Sequence, residues 1–597
     1  MPRRPDRFLL GAVLLIAAQL VFRGWALWGS WFYFDDLAFM SRAMDMPFGV
    51  DYLTESYGGH LMPAGFALAW VLTHWWVFDW APWALTLLVL QAIASIGMYR
   101  LLVAMFGRRP LVLALLAGYL AWVFTLPAGI WWAAGINQIP FQISLAFGLT
   151  AFLAHLRTRR TLPLVLSVVW VVAGLLFYEK TVLVIGVYAL VALCWFSAGR
   201  TPERIRGLWD DYRAAVVTFV LLGAGYLAVY AAYGLTFSPG ETADVAWGPI
   251  AWNLVAVAML PAIVGGPLDW QPLSVGSFAD PSDVTMIASW VAAGLLVFYA
   301  WRSRTISKRA WSLVVYTSLS NVALLASARV GIVGPELARE YRYQTEAAVI
   351  LVLAIGLALL PLRGAREENA VRSDAPSGYE DRRLVAGVTL AVVALAAFSS
   401  LRYVDLWQDR NPTRDYMANV ESDLTSADSP VPLIDTGIPQ TLLWSFRYPE
   451  NTYSHLFEPW EDQMSFPRSS IDDLFLFDDQ GRLAPVGVVP ARAMEESERG
   501  GDCPYPLDGI LRIPLDGPVI GGGWWIALDY ESPTSTAFRL TAGEEQHEVE
   551  VPAGEHTAWF EAAGTFDEVR LHSAGTDSDL CVTGLTLGTP VPTAPRS

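Results

Sequence analysis

Two adjacent aspartates, Asp35 and Asp36, follow an aromatic cluster in WFYFDDLAFMSRAM, directly after the first long apolar stretch. Carboxylates held that close to lipid are costly and tend to persist where they do work. As structural groups, Asp35 caps a short interfacial helix and Asp36 adds a favourable first-turn charge. As functional groups they form an acidic centre at the membrane surface. Neighbouring residues on a helix point in different directions, so one would react and the other support it. Cations on the same side are few. Lys180 stands beside Glu179 in FYEKT, and ARVGIVGPELAREYRYQTE supplies Arg329, Arg339 and Arg342 next to Tyr341 and Tyr343. The arginine fork suits phosphate oxygens. The competing roles are pairing with Glu336 and Glu340 for the arginines, and a snorkelling stem paired with Glu179 for Lys180. His60 sits at a loop-to-helix junction, where it either caps and anchors or orients an anionic group.

The elements that must position these groups are membrane helices. Of 597 residues, 54% are hydrophobic and 16% charged, too apolar for an ordinary soluble surface. Candidate spans are Phe8–Trp28, Trp83–Phe106, Leu111–Leu126, Ile139–Leu156, Leu162–Tyr178, Thr181–Phe196, Ala214–Tyr233, Val284–Trp301, Ala310–Ala328, Thr345–Leu362 and Leu384–Phe398. That predicts a polytopic α-helical domain of about eleven transmembrane helices. Leu61–Phe78 is read as a helix at the outer interface, and Trp247–Ile263 as a second one. Lys and Arg concentrate in the N-terminal segment, at 108–109, 157–160, 200–213, 302–309 and 363–383. The positive-inside rule then makes the N-terminus cytoplasmic, and an odd span count puts the C-terminal region outside, with Asp35 and Asp36. Arg23 and Arg100 fall within spans and are expected to snorkel. Trp131 and Trp132 are expected in an interfacial belt. The net charge of −17 and the lack of a basic stripe disfavour a nucleic-acid partner.

The chain is expected to divide into a membrane domain over 1–400, a mixed α/β region over 401–500 and a β-sandwich of the jelly-roll kind over 501–597. Alternating segments such as WWIALDY, FRLTAG, HEVEVPAG and TAWFEAAG, with glycine-bearing turns, carry the last assignment. Cys503 and Cys581 bracket that domain and are free to pair in an oxidising compartment, while Cys194 lies in an apolar helix. The cysteines fit no metal spacing, and neither a metal nor another cofactor is expected. No Gly-rich phosphate loop follows a strand, so no nucleotide site is expected.

The membrane half resembles the GT-C glycosyltransferases, polytopic enzymes that use polyprenyl-phosphate sugars or lipid-linked oligosaccharides outside the cytoplasm. The matching features are an N-in first helix, the FDD outer loop, His60–Leu61–Met62–Pro63 before an interfacial helix, and a second span ending in MFGRRP. The resemblance implies an inverting glycosyltransferase of the plasma membrane. Its first-loop acid, here Asp35 or Asp36, would act as general base on the acceptor hydroxyl. A carboxylate near a sugar hydroxyl is suited to accept its proton as the new bond forms. A departing lipid phosphate needs cations, which assigns Lys180, Arg329, Arg339, Arg342 and His60 to the donor phosphate, with Glu179 and Tyr343 supporting. Asp269 and Trp270, in the long outer loop, are candidates to meet the acceptor, a glycan, glycolipid or protein. The C-terminal domain resembles in placement the sugar-binding modules of some arabinofuranosyltransferases; a stabilising cap is the plainer role. The rivals are a flippase for a lipid-linked glycan and a non-catalytic glycan-binding scaffold of the cell envelope. Against the flippase, charges are scarce within spans.

Overall fold

The computed structural model describes residues 6–233, 247–273, 276–328, 334–373, 375, 381–495, 503–573 and 579–593. They form two compact units, Met1–Asn411 and Pro412–Ser597. The first unit is a multi-pass helical membrane domain. Among the described residues seven helices are long and apolar enough to cross a bilayer, beginning at Arg7, Trp80, Trp132, Thr201, Asp283, Ser307 and Arg382, and an eighth arises if one bent pair is a single span.

Eleven full-length spans were the expectation, and the difference lies in three short helices. Thr161–Leu175 and Leu183–Trp195 are separated by a 3-10 turn, Glu179–Val182. At 1.5 Å per residue each is roughly 20 Å long, short of a hydrocarbon core about 30 Å thick. Ala347–Leu359 is buried along nearly its whole length. Its apolar character on all sides reflects packing inside the protein rather than contact with lipid.

The bent pair, Pro110–Ala121 and Val123–Ile130, turns by 41°. A break at membrane depth frees carbonyls that lipid cannot satisfy. Gln19 Nε2 donates to Leu120 O at 3.1 Å, and Arg23 reaches Leu126 O at 3.1 Å and Thr125 Oγ1 at 2.7 Å. Arg23 is therefore buried and does not snorkel. Gly129 makes room for it: a Cβ there would stand 2.6 Å from the Arg23 guanidinium. Arg100 is exposed over the Phe147 ring.

At one end of this unit the basic loops interlock. Arg159 and Arg366 share Asp211, Arg204 and Arg309 share Glu367, and Arg157 Nε donates to Arg363 O. Arg108 pairs with Asp6. At the other end lie the loops after the first helix, the 176–182 turn and the 335–346 segment, joined by the contacts described below. The helix expected at the outer interface over Leu61–Phe78 runs over Pro63–Trp76, opened by Pro63 at its first position, where a missing N–H costs nothing.

The boundary expected at 400 falls at 411, because the last membrane helix continues unbroken as Arg382–Asp409 and Gln408 and Asn411 bond back to Ala26, Trp31 and Phe32 carbonyls. Among the described residues no boundary falls at 500. Strand Leu483–Ala493 pairs with Cys581–Pro592, so the region before 500 contributes to the same β-structure. Two antiparallel sheets, one built on Gly523–Ser532 between Gly554–Ala563 and Cys581–Pro592, the other ordered Glu545–Val551, Thr536–Ala542, Phe566–Ser573, Ile510–Val519, enclose a core of Ile526, Leu528, Phe538, Leu540, Phe560 and Leu571. Trp525 and Trp559 are buried too, but they alternate with the core residues Ile526, Ala558 and Phe560 along their strands and so lie on the other face of that sheet.

Cys503 and Cys581 form a disulfide 78 residues apart in sequence. Closing a loop of that length removes on the order of 4 kcal/mol of unfolded-state entropy. The double substitution Cys503→Ser and Cys581→Ser is expected to destabilise the C-terminal unit by roughly 2–5 kcal/mol. Chemical unfolding followed by tryptophan emission measures this, and an unchanged midpoint would exclude it.

Candidate functional site

The first loop is set by its aromatic residues. The Phe32 ring packs edge-on against Trp80 and Trp83, and Tyr33 against Trp131 and Trp407. Phe34 then takes a left-handed φ of 53°, rare for a bulky side chain. Strain of that kind persists only where the surroundings over-determine it. The helix Asp35–Asp45 starts at once, which sends the two aspartates in different directions.

Asp36 turns inward and is fully buried. Its Oδ2 accepts from Tyr33 N at 3.0 Å and its Oδ1 from Ala133 N at 2.7 Å. It thus ties the residue before its helix's N-cap to the first turn of Trp132–Thr158. Burial pushes its carboxyl well above the usual range, the two backbone N–H groups pull it back, and Asp35 adds to the rise. Asp35 is only half-buried, and its Oδ1 accepts from Tyr57 Oη at 2.8 Å. Of the two, Asp35 is the group a substrate can reach.

Tyr57 is held by a tight turn. Tyr57 and His60 exchange both backbone hydrogen bonds, at 3.1 and 2.9 Å, around Gly58 and Gly59. These glycines have φ of 56° and 84°, the pair of positive values that a type I′ turn demands. One side of the turn therefore presents Tyr57 to Asp35. The other presents His60, whose Nδ1 lies 2.8 Å from Glu179 Oε1.

Lys180 does not pair with its neighbour. Its Nζ lies 2.7 Å from Glu346 Oε1 and donates to Tyr343 O at 2.8 Å, both partners being far along the chain. The lysine and Glu346 are buried, so the pair holds the 341–346 segment against the 176–182 turn. Thr345 adds a bond to Gln138, and Gln138 to Tyr178. In that segment Arg342 lies over the Trp131 ring at 4.6 Å and pairs with Glu340 at 2.6 Å. Trp131 in turn donates to Tyr33 O at 3.0 Å. Arg342 thereby reaches the first loop. Burial opposes its charge, but Glu340, Tyr343 and Asp35 together raise its pKa further above the ordinary value. Burial pushes the Glu340 carboxyl from 4.5 up to about 7, with Arg342 pulling the other way.

Asp35, His60, Glu179, Lys180, Arg342 and Tyr343 are thus linked through a continuous set of contacts. Arg339 points elsewhere, donating to Asn253 Oδ1 at 3.1 Å. Arg329 lies outside the described residues. Trp270 is buried, with its indole N–H on Ser399 O and its ring against Tyr341 and Tyr403, so it offers packing rather than an open face to an acceptor. Asp269 pairs with Arg402. Trp131 and Trp132 are buried rather than in an interfacial belt, because each indole bonds inside the protein, Trp132 to Thr86 Oγ1. Sequence reasoning missed Tyr57 and Glu346; the YGGH turn was the one local signal for the first. Among the described residues no three His, Cys, Asp or Glu groups gather as a metal set.

No protein-family model matches the chain, and no curated protein matches it. Among solved structures it is similar to the arabinofuranosyltransferase AftD from Mycobacteria, at 12% identity and a TM-score of 0.41, over 96% of this chain and 58% of that one. It thus spans little more than half the length of that relative. It is also similar to ArnT from Cupriavidus metallidurans bound to undecaprenyl phosphate, at 12% identity and a TM-score of 0.42, over 78% of this chain and 93% of that one. Likeness this remote carries no weight for the chemistry, which rests on the residues above.

The two aspartates are expected to separate by stability. Asp36→Ala strands two buried N–H groups and is expected to cost roughly 2–4 kcal/mol, whereas Asp35→Asn stays within about 1 kcal/mol. Thermal unfolding in detergent reads the difference, and equal midpoints would overturn the division of labour. Glu340 gives a pH signature. Between 4.5 and about 7 the folded glutamate holds a proton that the unfolded one has released, so stability falls as pH rises through that window. Glu340→Gln is expected to flatten that part of the profile; parallel profiles for variant and wild type would contradict it.

Proposed function

We propose that the chain is an inverting glycosyltransferase that moves a sugar from a polyprenyl-phosphate donor to a cell-envelope glycan, lipid or protein on the extracytoplasmic side. The observation that carries the proposal is one half-buried carboxylate, Asp35, bonded to Tyr57 and within electrostatic reach of Arg342. A base and a phosphate-binding cation side by side at the end of a helical membrane domain are what such a transfer requires.

In this mechanism Asp35 takes the proton of the acceptor hydroxyl as its oxygen attacks the anomeric carbon. The bond from that carbon to the phosphate oxygen breaks on the opposite face, which inverts the centre. The polyprenyl phosphate leaves with one more negative charge, and Arg342 meets it. The Arg342 side chain is already fixed between the Trp131 and Tyr343 rings, so little side-chain freedom remains to be lost when phosphate binds. Lys180 acts through position: its ion pair with Glu346 and its bond to Tyr343 O hold Arg342 in place. His60 and Glu179 form the neighbouring wall, where the imidazole would add a second phosphate contact. The concentration of arginines at the opposite end supports the cytoplasmic assignment of that face.

The test is transfer from radiolabelled polyprenyl-phosphate pentoses and hexoses by the chain reconstituted in vesicles, with crude envelope glycan as acceptor. Asp35→Asn is expected to lower turnover by roughly 10²–10⁴-fold while the lipid still binds. Wild-type turnover in that variant would remove the base. Movement of lipid-linked glycan across the vesicle without transfer would replace the enzyme with a flippase.

A further inference from the structure

At the basic end of the membrane domain lies a cavity of about 620 Å³ that the proposed transfer does not use. Its mouth carries three arginines, each at a helix end: Arg109 before Pro110–Ala121, Arg304 after Asp283–Ser303, and Arg382 at the start of Arg382–Asp409. Below them the walls are apolar. Leu15 comes from the first helix, and Ala114, Ala117 and Ala386 leave the space that larger side chains would fill. The lining reaches Val393, eleven residues into the last membrane helix from Arg382. At 1.5 Å per residue that is a depth of about 17 Å, close to the roughly 15 Å of one leaflet's hydrocarbon.

Two of the three cations in the mouth, Arg109 and Arg382, are exposed. Three carboxylates of this face are committed elsewhere: Asp6 to Arg108, Asp211 to Arg159 and Arg366, Glu367 to Arg204 and Arg309. Asp381 caps the last helix through Arg383 N. Among the described residues Arg109 and Arg382 pair with no carboxylate, and both are exposed. Arg304 is buried, with its Nη1 held on Asn369 O at 2.9 Å, which fixes one cation at the cavity wall.

We infer that this cleft binds an anionic glycerophospholipid of the cytoplasmic leaflet, its phosphate between Arg109, Arg304 and Arg382 and one acyl chain along the alanine-lined groove. A slot with cations at headgroup depth and one leaflet's length of apolar wall matches a phospholipid in both charge and shape. A soluble phosphate would use the arginines and leave the groove empty. Basic pockets between membrane helices on the cytoplasmic side are established binders of anionic headgroups. The inference stands on a different set of residues from the transfer site, and its test involves no turnover.

The full chain, purified in detergent and stripped of co-purified lipid, is titrated with phosphatidylglycerol and with phosphatidylcholine of the same acyl chains, read by thermal unfolding and by native mass spectrometry. Phosphatidylglycerol is expected to bind at least tenfold more tightly. The double variant Arg109→Gln and Arg382→Gln, at two exposed positions, is expected to weaken it by roughly 30-fold. Ala386→Phe, which fills the groove and leaves the arginines, is expected to weaken both lipids. Equal binding of the two lipids, an unchanged preference in the folded double variant, competition by millimolar inorganic phosphate, or preference for undecaprenyl phosphate over phosphatidylglycerol would each overturn the assignment.

Discussion

The candidate site depends on the carboxylate of Asp36. Buried completely, it accepts one N–H from its own loop and one from the start of Trp132–Thr158. Those two bonds fix where the helix Asp35–Asp45 begins and hold Phe34 in its left-handed conformation. With the helix start fixed, Asp35 has a set direction, toward Tyr57 and the space beside Arg342. A buried carboxylate at this depth is tolerable because both of its donors are backbone N–H groups that would otherwise be stranded.

The surrounding charges follow the same division between fixing and reacting. Lys180 and Glu346 are buried together and give up their net charge to hold a segment in place. Arg342 keeps a partner, Glu340, whose own ionisation is made hard by burial. At the opposite end of the unit several arginines are spent on loop-to-loop ion pairs, and two exposed ones that pair with no carboxylate among the described residues, Arg109 and Arg382, flank an apolar cleft. The membrane domain so presents two anion-receiving regions of different construction at its two ends.

Much of this was legible in the sequence, and the rest was hidden for physical reasons. Apolar runs gave the long helices, and the FDD loop, the YEK turn and the YRY segment were each recognisable as places where polar groups meet lipid. Length alone misled for Ala347–Leu359, since a wholly apolar stretch reads the same whether lipid or protein surrounds it. Arg23 and Trp131 were misplaced for a related reason: their partners, Leu126 O and Tyr33 O, lie about a hundred residues away in the chain. The choice between Asp35 and Asp36 had no local signal, because both suit a helix start and only the approach of Ala133 distinguishes them. In the C-terminal unit, period-two alternation with glycine turns gave the strands, while the contribution of Leu483–Ala493 to the same sheet depended on long-range register.

The most direct test of the central claim is a structure of the full chain in nanodiscs with polyprenyl phosphate bound. The phosphate is predicted within hydrogen-bond distance of the Arg342 guanidinium, with the Asp35 carboxylate opening onto the same space. A phosphate lodged away from both groups, or Asp35 sealed from the lipid and from solvent, would contradict it.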